Sequence, residues 1–100
     1  MRRPDLVTEF SELAATWQKE MTFSSSITEI AMHPAYQRIV GMGPAALPLI
    51  LRELEHQPHH WFWALKAITG ADPVKPEDRG RIQRMAEAWL QWAKEEGLKW

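Results

Sequence analysis

This sequence predicts an all-α fold, a single domain of about six helices over residues 1–100, and three features predict it. Apolar residues recur three and four positions apart along most of the chain, which lays a stripe down one face of a 3.6-residue helix. No segment alternates apolar and polar residues in the way a half-buried strand does. Proline and glycine fall between the periodic segments, where they start and stop helices.

The first helix runs from Asp5 to about Met21, with Leu6, Phe10, Leu13, Ala14, Trp17 and Met21 on its inward face. Phe23-Ser24-Ser25-Ser26 breaks it. Ser26 followed three residues later by Glu29 is a capping-box pattern, so a second helix starts at Ile27 with Ile27, Ile30 and Ala31 inward. His33-Pro34 bends the chain, because proline disfavours α geometry at the residue before it yet suits a first helical turn. His33 is then a helix cap, and Tyr36, Ile39 and Val40 point inward until Gly41 and Gly43. Pro44 begins the next helix. Pro48 is tolerated there because the first-turn amides have no intrahelical acceptor to lose, and Leu47, Ile50, Leu51 and Leu54 form its stripe. A fifth helix is expected from about Pro58 to Thr69, closed by Gly70. Ala71 to Pro76 is a stiff connector. The last helix is expected to open at Pro76, with Glu77 and Asp78 suiting its dipole, and to run through Ile82, Met85, Ala86, Trp89, Leu90 and Ala93 to Gly97.

Composition narrows the function classes. A chain of 100 residues buries roughly 60–65 % of its unfolded surface, enough for one core. Hydrophobic residues at 45 % and charged residues at 25 % describe a soluble globular protein and not a disordered one. Twelve basic and 13 acidic residues leave a net charge of −1, so no global field selects nucleic acid or a membrane. The absence of cysteine excludes disulfides, thiol nucleophiles and thiolate metal sites. No apolar stretch follows Arg2-Arg3 as in a signal peptide, and none reaches the ~18 residues of a membrane span, so a cytoplasmic location is expected. Six tryptophans are the compositional anomaly, since each buried indole N–H wants an acceptor.

The centre of the chain carries the most pointed pattern, Ile39-Val40-Gly41-x-Gly43-Pro44-x-Ala46-x-Pro48-x-Ile50-Leu51-x-x-Leu54, a polar turn, then Trp61-x-Trp63-Ala64-Leu65-x-x-Ile68-x-Gly70. This resembles one HEAT-like helical repeat unit, within about residues 27–70, with the helices at 5–21 and 76–97 as flanking caps. His33-Pro34-x-Tyr36-Gln37-x-Ile39-x-Gly41-Met42-Gly43 followed by His60-Trp61-Phe62-Trp63-Ala64-Leu65 is also similar to a family of small uncharacterised bacterial proteins. The resemblance implies a packing module that presents surface to a partner and has no reactive groups of its own.

Trp61-Phe62-Trp63 spans roughly 200° of a helix, so one stripe cannot bury all three. Trp61 and Phe62 share the side of Leu65 and Ile68, and Trp63 points away. Its expected resting place is under the first helix or against Trp89 and Trp92; the functional alternative is that Trp63 or Trp92 is a partly exposed anchor for a partner. Trp17 reads as core and Trp100 as a loose end.

No chemistry emerges elsewhere. His56, His59 and His60 lie close together, but Pro58 interrupts them and no His-Glu-x-x-His is present, so neither a metal site nor a cofactor is expected. Ser24, Ser25 and Ser26 serve helix capping, and Gly41-Met42-Gly43 follows no strand and lacks the phosphate-binding lysine. The sequence therefore points to a non-enzymatic protein–protein interaction module in a bacterial cytoplasm, an adaptor or inhibitor of a larger protein or complex. Its candidate partner-binding residues are Trp63, Lys66, Arg84, Gln91 and Trp92. A homodimer is allowed as well. The rival reading is a small nucleic-acid-binding regulator or antitoxin-like protein using Lys75, Arg79, Arg81 and Arg84.

Overall fold

The computed structural model describes residues 5–21 and 26–100, and among them the chain forms six α-helices and no strand. Helix α1 is Leu6–Glu20, α2 Ile27–Met32, α3 Pro34–Gly41, α4 Leu47–His56, α5 Phe62–Thr69 and α6 Ile82–Glu95. Short 3₁₀ turns, Gly43–Ala46 and Pro76–Asp78, precede α4 and α6. The expected break at Phe23–Ser25, the start at Met1–Pro4 and the side chain of Ile27 lie outside the described residues.

Local chemistry sets several boundaries as the sequence reads them. The Ser26 hydroxyl accepts the Glu29 amide at 3.3 Å and so opens α2. His33 ends α2 and starts α3, with Nδ1 accepting the Ala35 amide at 3.1 Å while Nε2 meets Glu20 Oε1 at 2.9 Å. Gln37 bridges the same bend by donating to the Ala31 carbonyl at 2.7 Å. Pro48 sits in the first turn of α4 without disturbing it. At the far end of α6, Gly97 turns left-handed (φ 76°). The Gly97 and Leu98 amides then return to the Lys94 and Ala93 carbonyls at 3.0 and 2.9 Å, a Schellman closure.

Three boundaries differ from expectation. Helix α4 begins at Leu47, not at Pro44, which lies in the 3₁₀ turn Gly43–Ala46. Helix α5 begins at Phe62, not near Pro58: the Trp61 amide bonds the His59 carbonyl in a tight turn, so 58–61 is not helical. Helix α6 begins at Ile82, not at Pro76. The 3₁₀ turn is followed by extended Arg79 and by Gly80 at φ 86°, a backbone shape that a helix cannot continue through.

Helix α1 lies along α3, α3 also packs on α2 and α5, and α4 is held between α5 and α6. The radius of gyration is 13.3 Å, the value of about 13 Å expected of a packed chain this long. One core runs through the domain, with Tyr36, Ile39, Ile50, Leu51, Leu54, Trp61, Leu65 and Trp89 fully enclosed. Leu6, expected to face inward, is 36 % exposed, and Val7 beside it is 48 % exposed.

At the centre Phe10, Trp17, Tyr36 and Trp61 form an aromatic box. Trp17 and Trp61 lie 4.5 Å apart between ring centroids, and Trp17 and Tyr36 5.0 Å. Phe10 and Tyr36 stack on Trp61 at 5.7 and 5.9 Å. Trp17 donates to the Ile30 carbonyl at 3.0 Å, which ties α1 to α2. The Tyr36 hydroxyl donates to the His60 carbonyl and accepts the Ala64 amide, both at 2.9 Å. Ala64 is the third residue of α5, whose N-cap position holds Trp61, a residue without a capping oxygen. Tyr36 therefore caps α5 from a different helix, and its burial pushes the phenol well above its ordinary range, a shift that the Ala64 amide partly opposes.

Candidate functional site

Three helix ends meet in an apolar groove. Ile30 and Ala31 come from the end of α2, His60, Phe62 and Trp63 from the start of α5, and Gly80, Ile82 and Met85 from the entry into α6. The groove holds about 190 Å³. Each wall follows from helical geometry. Ile82 and Met85 are one turn apart on α6, and Phe62 turns into the core while Trp63, 100° further round, turns out.

Trp63 stands at the edge, 45 % exposed, with its ring 6.3 Å from Tyr36 on its inner side. The expectation that it packs under α1 or against Trp89 and Trp92 is not met; it points away from the core stripe as the helical arithmetic requires. Met32, the residue after Ala31 at the end of α2, is 63 % exposed and does not line the groove. Burial lowers the His60 imidazole from its ordinary value, and the neighbouring His59 lowers it further. A larger depression of about 600 Å³ over the second half of α1 is more open and is walled by Gln18, Lys19, Gln57 and His59.

The predicted partner residues divide. Trp63 lines the groove and Arg84 precedes the lining residue Met85. Lys66, one turn beyond Trp63, reaches Asp72 Oδ2 at 3.3 Å, and Arg79 reaches the same oxygen at 2.9 Å. Partial burial works against the Asp72 charge, but the hydrogen bonds and charges of Lys66 and Arg79 outweigh it and hold the carboxyl below its ordinary value. Gln91 and Trp92 lie two turns further along α6 and are not part of the groove. Gln91 pairs with Glu95 at 3.2 Å, and Trp92 sits edge-on to Trp89 at 5.4 Å, half-buried.

The four basic residues of the rival reading do not share a helical face. Lys75, Arg79 and Arg81 precede α6, and only Arg84 is on it. All four are exposed, and Arg79 is committed to Asp72. Among the described residues neither Arg81 nor Arg84 has a carboxylate within ion-pair distance.

The histidine turn is not a ligand cluster. His56 Nδ1 is 2.8 Å from the Arg52 carbonyl, and His59 is 3.4 Å from Gln57. Among the described residues no three His, Asp or Glu side chains gather closely enough to hold a metal ion. Sequence reasoning missed Ile82 and Met85 as groove residues because their spacing also fits a core stripe.

No protein-family model, no curated protein and no solved structure matches this chain. No helix among the described residues is long and apolar enough to cross a membrane.

Proposed function

We propose that this chain is a non-enzymatic protein-binding module of the bacterial cytoplasm that receives an apolar side chain of a partner in the α2–α5–α6 groove. One observation carries the reading: Trp63 is 45 % exposed beside an apolar groove, while Trp17, Trp61 and Trp89 are buried. Tryptophan is over-represented among residues that dominate protein interfaces, and a rimmed apolar patch on a small domain marks an interaction site. The HEAT-like central unit suits a role as scaffold for such a surface. Lys66 and Arg84 would form the rim, with Gln91 and Trp92 extending it along α6.

The test compares capture from host lysate by the wild type, Trp63→Ala and the distant control Val7→Ala. Loss of one stoichiometric protein in Trp63→Ala alone supports the groove; equal capture by all three overturns it. Trp63→Ala should cost less stability than Trp61→Ala, since its ring is 45 % exposed and meets the aromatic box only at Tyr36. The exposure of Arg81 and Arg84, without carboxylate partners among the described residues, favours nucleic acid as a second reading. That reading requires duplex DNA binding at low salt that weakens steeply as salt rises.

A further inference from the structure

We infer that the bend between α2 and α3 is an acid-sensitive hinge, in which one proton on His33 Nδ1 releases the start of α3. It holds whatever the groove binds. His33 ends α2 and caps α3, and its side chain is 9 % exposed. Nδ1 lies 3.1 Å from the Ala35 amide, and Nε2 lies 2.9 Å from Glu20 Oε1 on α1. A backbone amide can only donate, so Nδ1 meets it with its lone pair. The ring proton is therefore on Nε2, where it donates to the Glu20 carboxylate. A second proton can go only to Nδ1, and histidine is the side chain that gains one between about pH 8 and 5. The cap then becomes two N–H groups aimed at each other. The Glu20 contact survives as an ion pair, so the ring stays tethered to α1 while its hold on α3 is lost. Ala35 is 6 % exposed, which keeps water from replacing the lost acceptor readily. The remaining tie across the bend, Gln37 to the Ala31 carbonyl, carries no titratable group. Ile30 and Ala31 on the α2 arm wall the groove, so the same proton loosens that wall. Among the described residues Glu20 is the charged group in contact with the ring. Arg38 on α3 is held by Glu9 of α1, and Lys66, the charged residue of α5, by Asp72. Lys19 and Glu29 have interactions of their own, Glu12 lies two turns before Glu20 on α1, and the turn Gly43–Ala46 carries no charge.

The experiment is an NMR titration of the full chain from about pH 8 to about pH 5.5. Long-range proton–nitrogen correlation of the imidazole reads the tautomer at the high end, where the Nε2–H form is expected. As pH falls, the Ala35 amide signal should move in step with the His33 ring, and the Ile30 and Ala31 amides should follow the same curve. Exchange protection at Ala35, corrected for the intrinsic pH dependence of exchange, should drop about tenfold. His33→Asn keeps a side-chain acceptor at the cap and takes no proton, so Ala35 should stay still in that variant. His60→Gln should leave the Ala35 response in place. Circular dichroism checks that each variant stays folded. An Nδ1–H tautomer at about pH 8 overturns the proposal without recourse to any variant. An Ala35 amide that keeps its position and protection while the ring takes its proton overturns it too, as does an equal response in His33→Asn. Loss of the response in His60→Gln would assign the effect to that neighbour instead and overturn the hinge. A response confined to Ala35 would overturn the loosening of the groove wall.

Discussion

Trp61 and Trp63 are two residues apart and face opposite environments, and the contrast separates the two halves of this molecule. Trp61 is fully enclosed and touches Phe10, Trp17 and Tyr36. Trp63 is 45 % exposed and touches the box only through Tyr36. The polar atoms do not explain the difference. Trp61 Nε1 is buried without a hydrogen-bond partner among the described residues, so its polar atom does not account for its place inside. Ring contact and excluded apolar area outweigh one unpaired N–H, whose cost is about 1–3 kcal/mol against about 3–5 kcal/mol for deleting a large aromatic from a core. The box is built for stability; the groove leaves its aromatic surface unspent.

The strongest way to break the contrast is Trp61→Ala. It removes the ring that three others contact and should cost about 3–5 kcal/mol, read as a fall in the urea midpoint. Tyr36→Phe is the next step down. It keeps the ring but strands the Ala64 amide and the His60 carbonyl, and about 2 kcal/mol should be lost. A finer comparison sets Trp17→Phe against Trp61→Phe. The first strands the Ile30 carbonyl and the second removes an unsatisfied donor, so Trp17→Phe should be the more destabilising by about 1–2 kcal/mol. Equal losses would mean that the Trp61 N–H has a partner after all.

The smallest perturbation acts on the groove. Because the folded state lowers the His60 pKa, the unfolded chain binds the proton more readily. Stability contributed by the neutral ring is complete above the ordinary histidine value of about 6.5 and declines as pH falls below it. A thermal midpoint that drops on acidification from about pH 7.5 to 5.5, by less in His60→Gln, is the expected result.

How much of this was legible in the sequence depends on where each signal resides. The all-α class, the Ser26 and His33 caps, the tolerated Pro48 and the outward turn of Trp63 are local matters, decided by a residue and neighbours within one turn. Gly80 is a local signal too, a glycine four residues after Pro76 whose φ of 86° delays the helix to Ile82. The start of α5 was not local. Pro58 offered the nearest helix opener, yet the capping oxygen belongs to Tyr36, 28 residues from Ala64 in the chain. The groove was equally hidden. Ile30, Ile82 and Met85 read as core stripes, and only the assembled helices show that these stripes meet with space left between them.

The Tyr36 hydroxyl has one more consequence, for the order in which the chain folds. A helix of eight residues is too short to persist alone in water. Without a capping side chain of its own, α5 acquires its first-turn acceptor only when α3 has docked. Docking of α3 and completion of the first turn of α5 are therefore a single event. In native-state hydrogen exchange the Ala64 amide should open only with the whole domain, whereas amides in the first turn of α1, at the exposed Leu6 and Val7, should exchange by fraying. One phenol oxygen thus makes α3 and α5 a single cooperative unit.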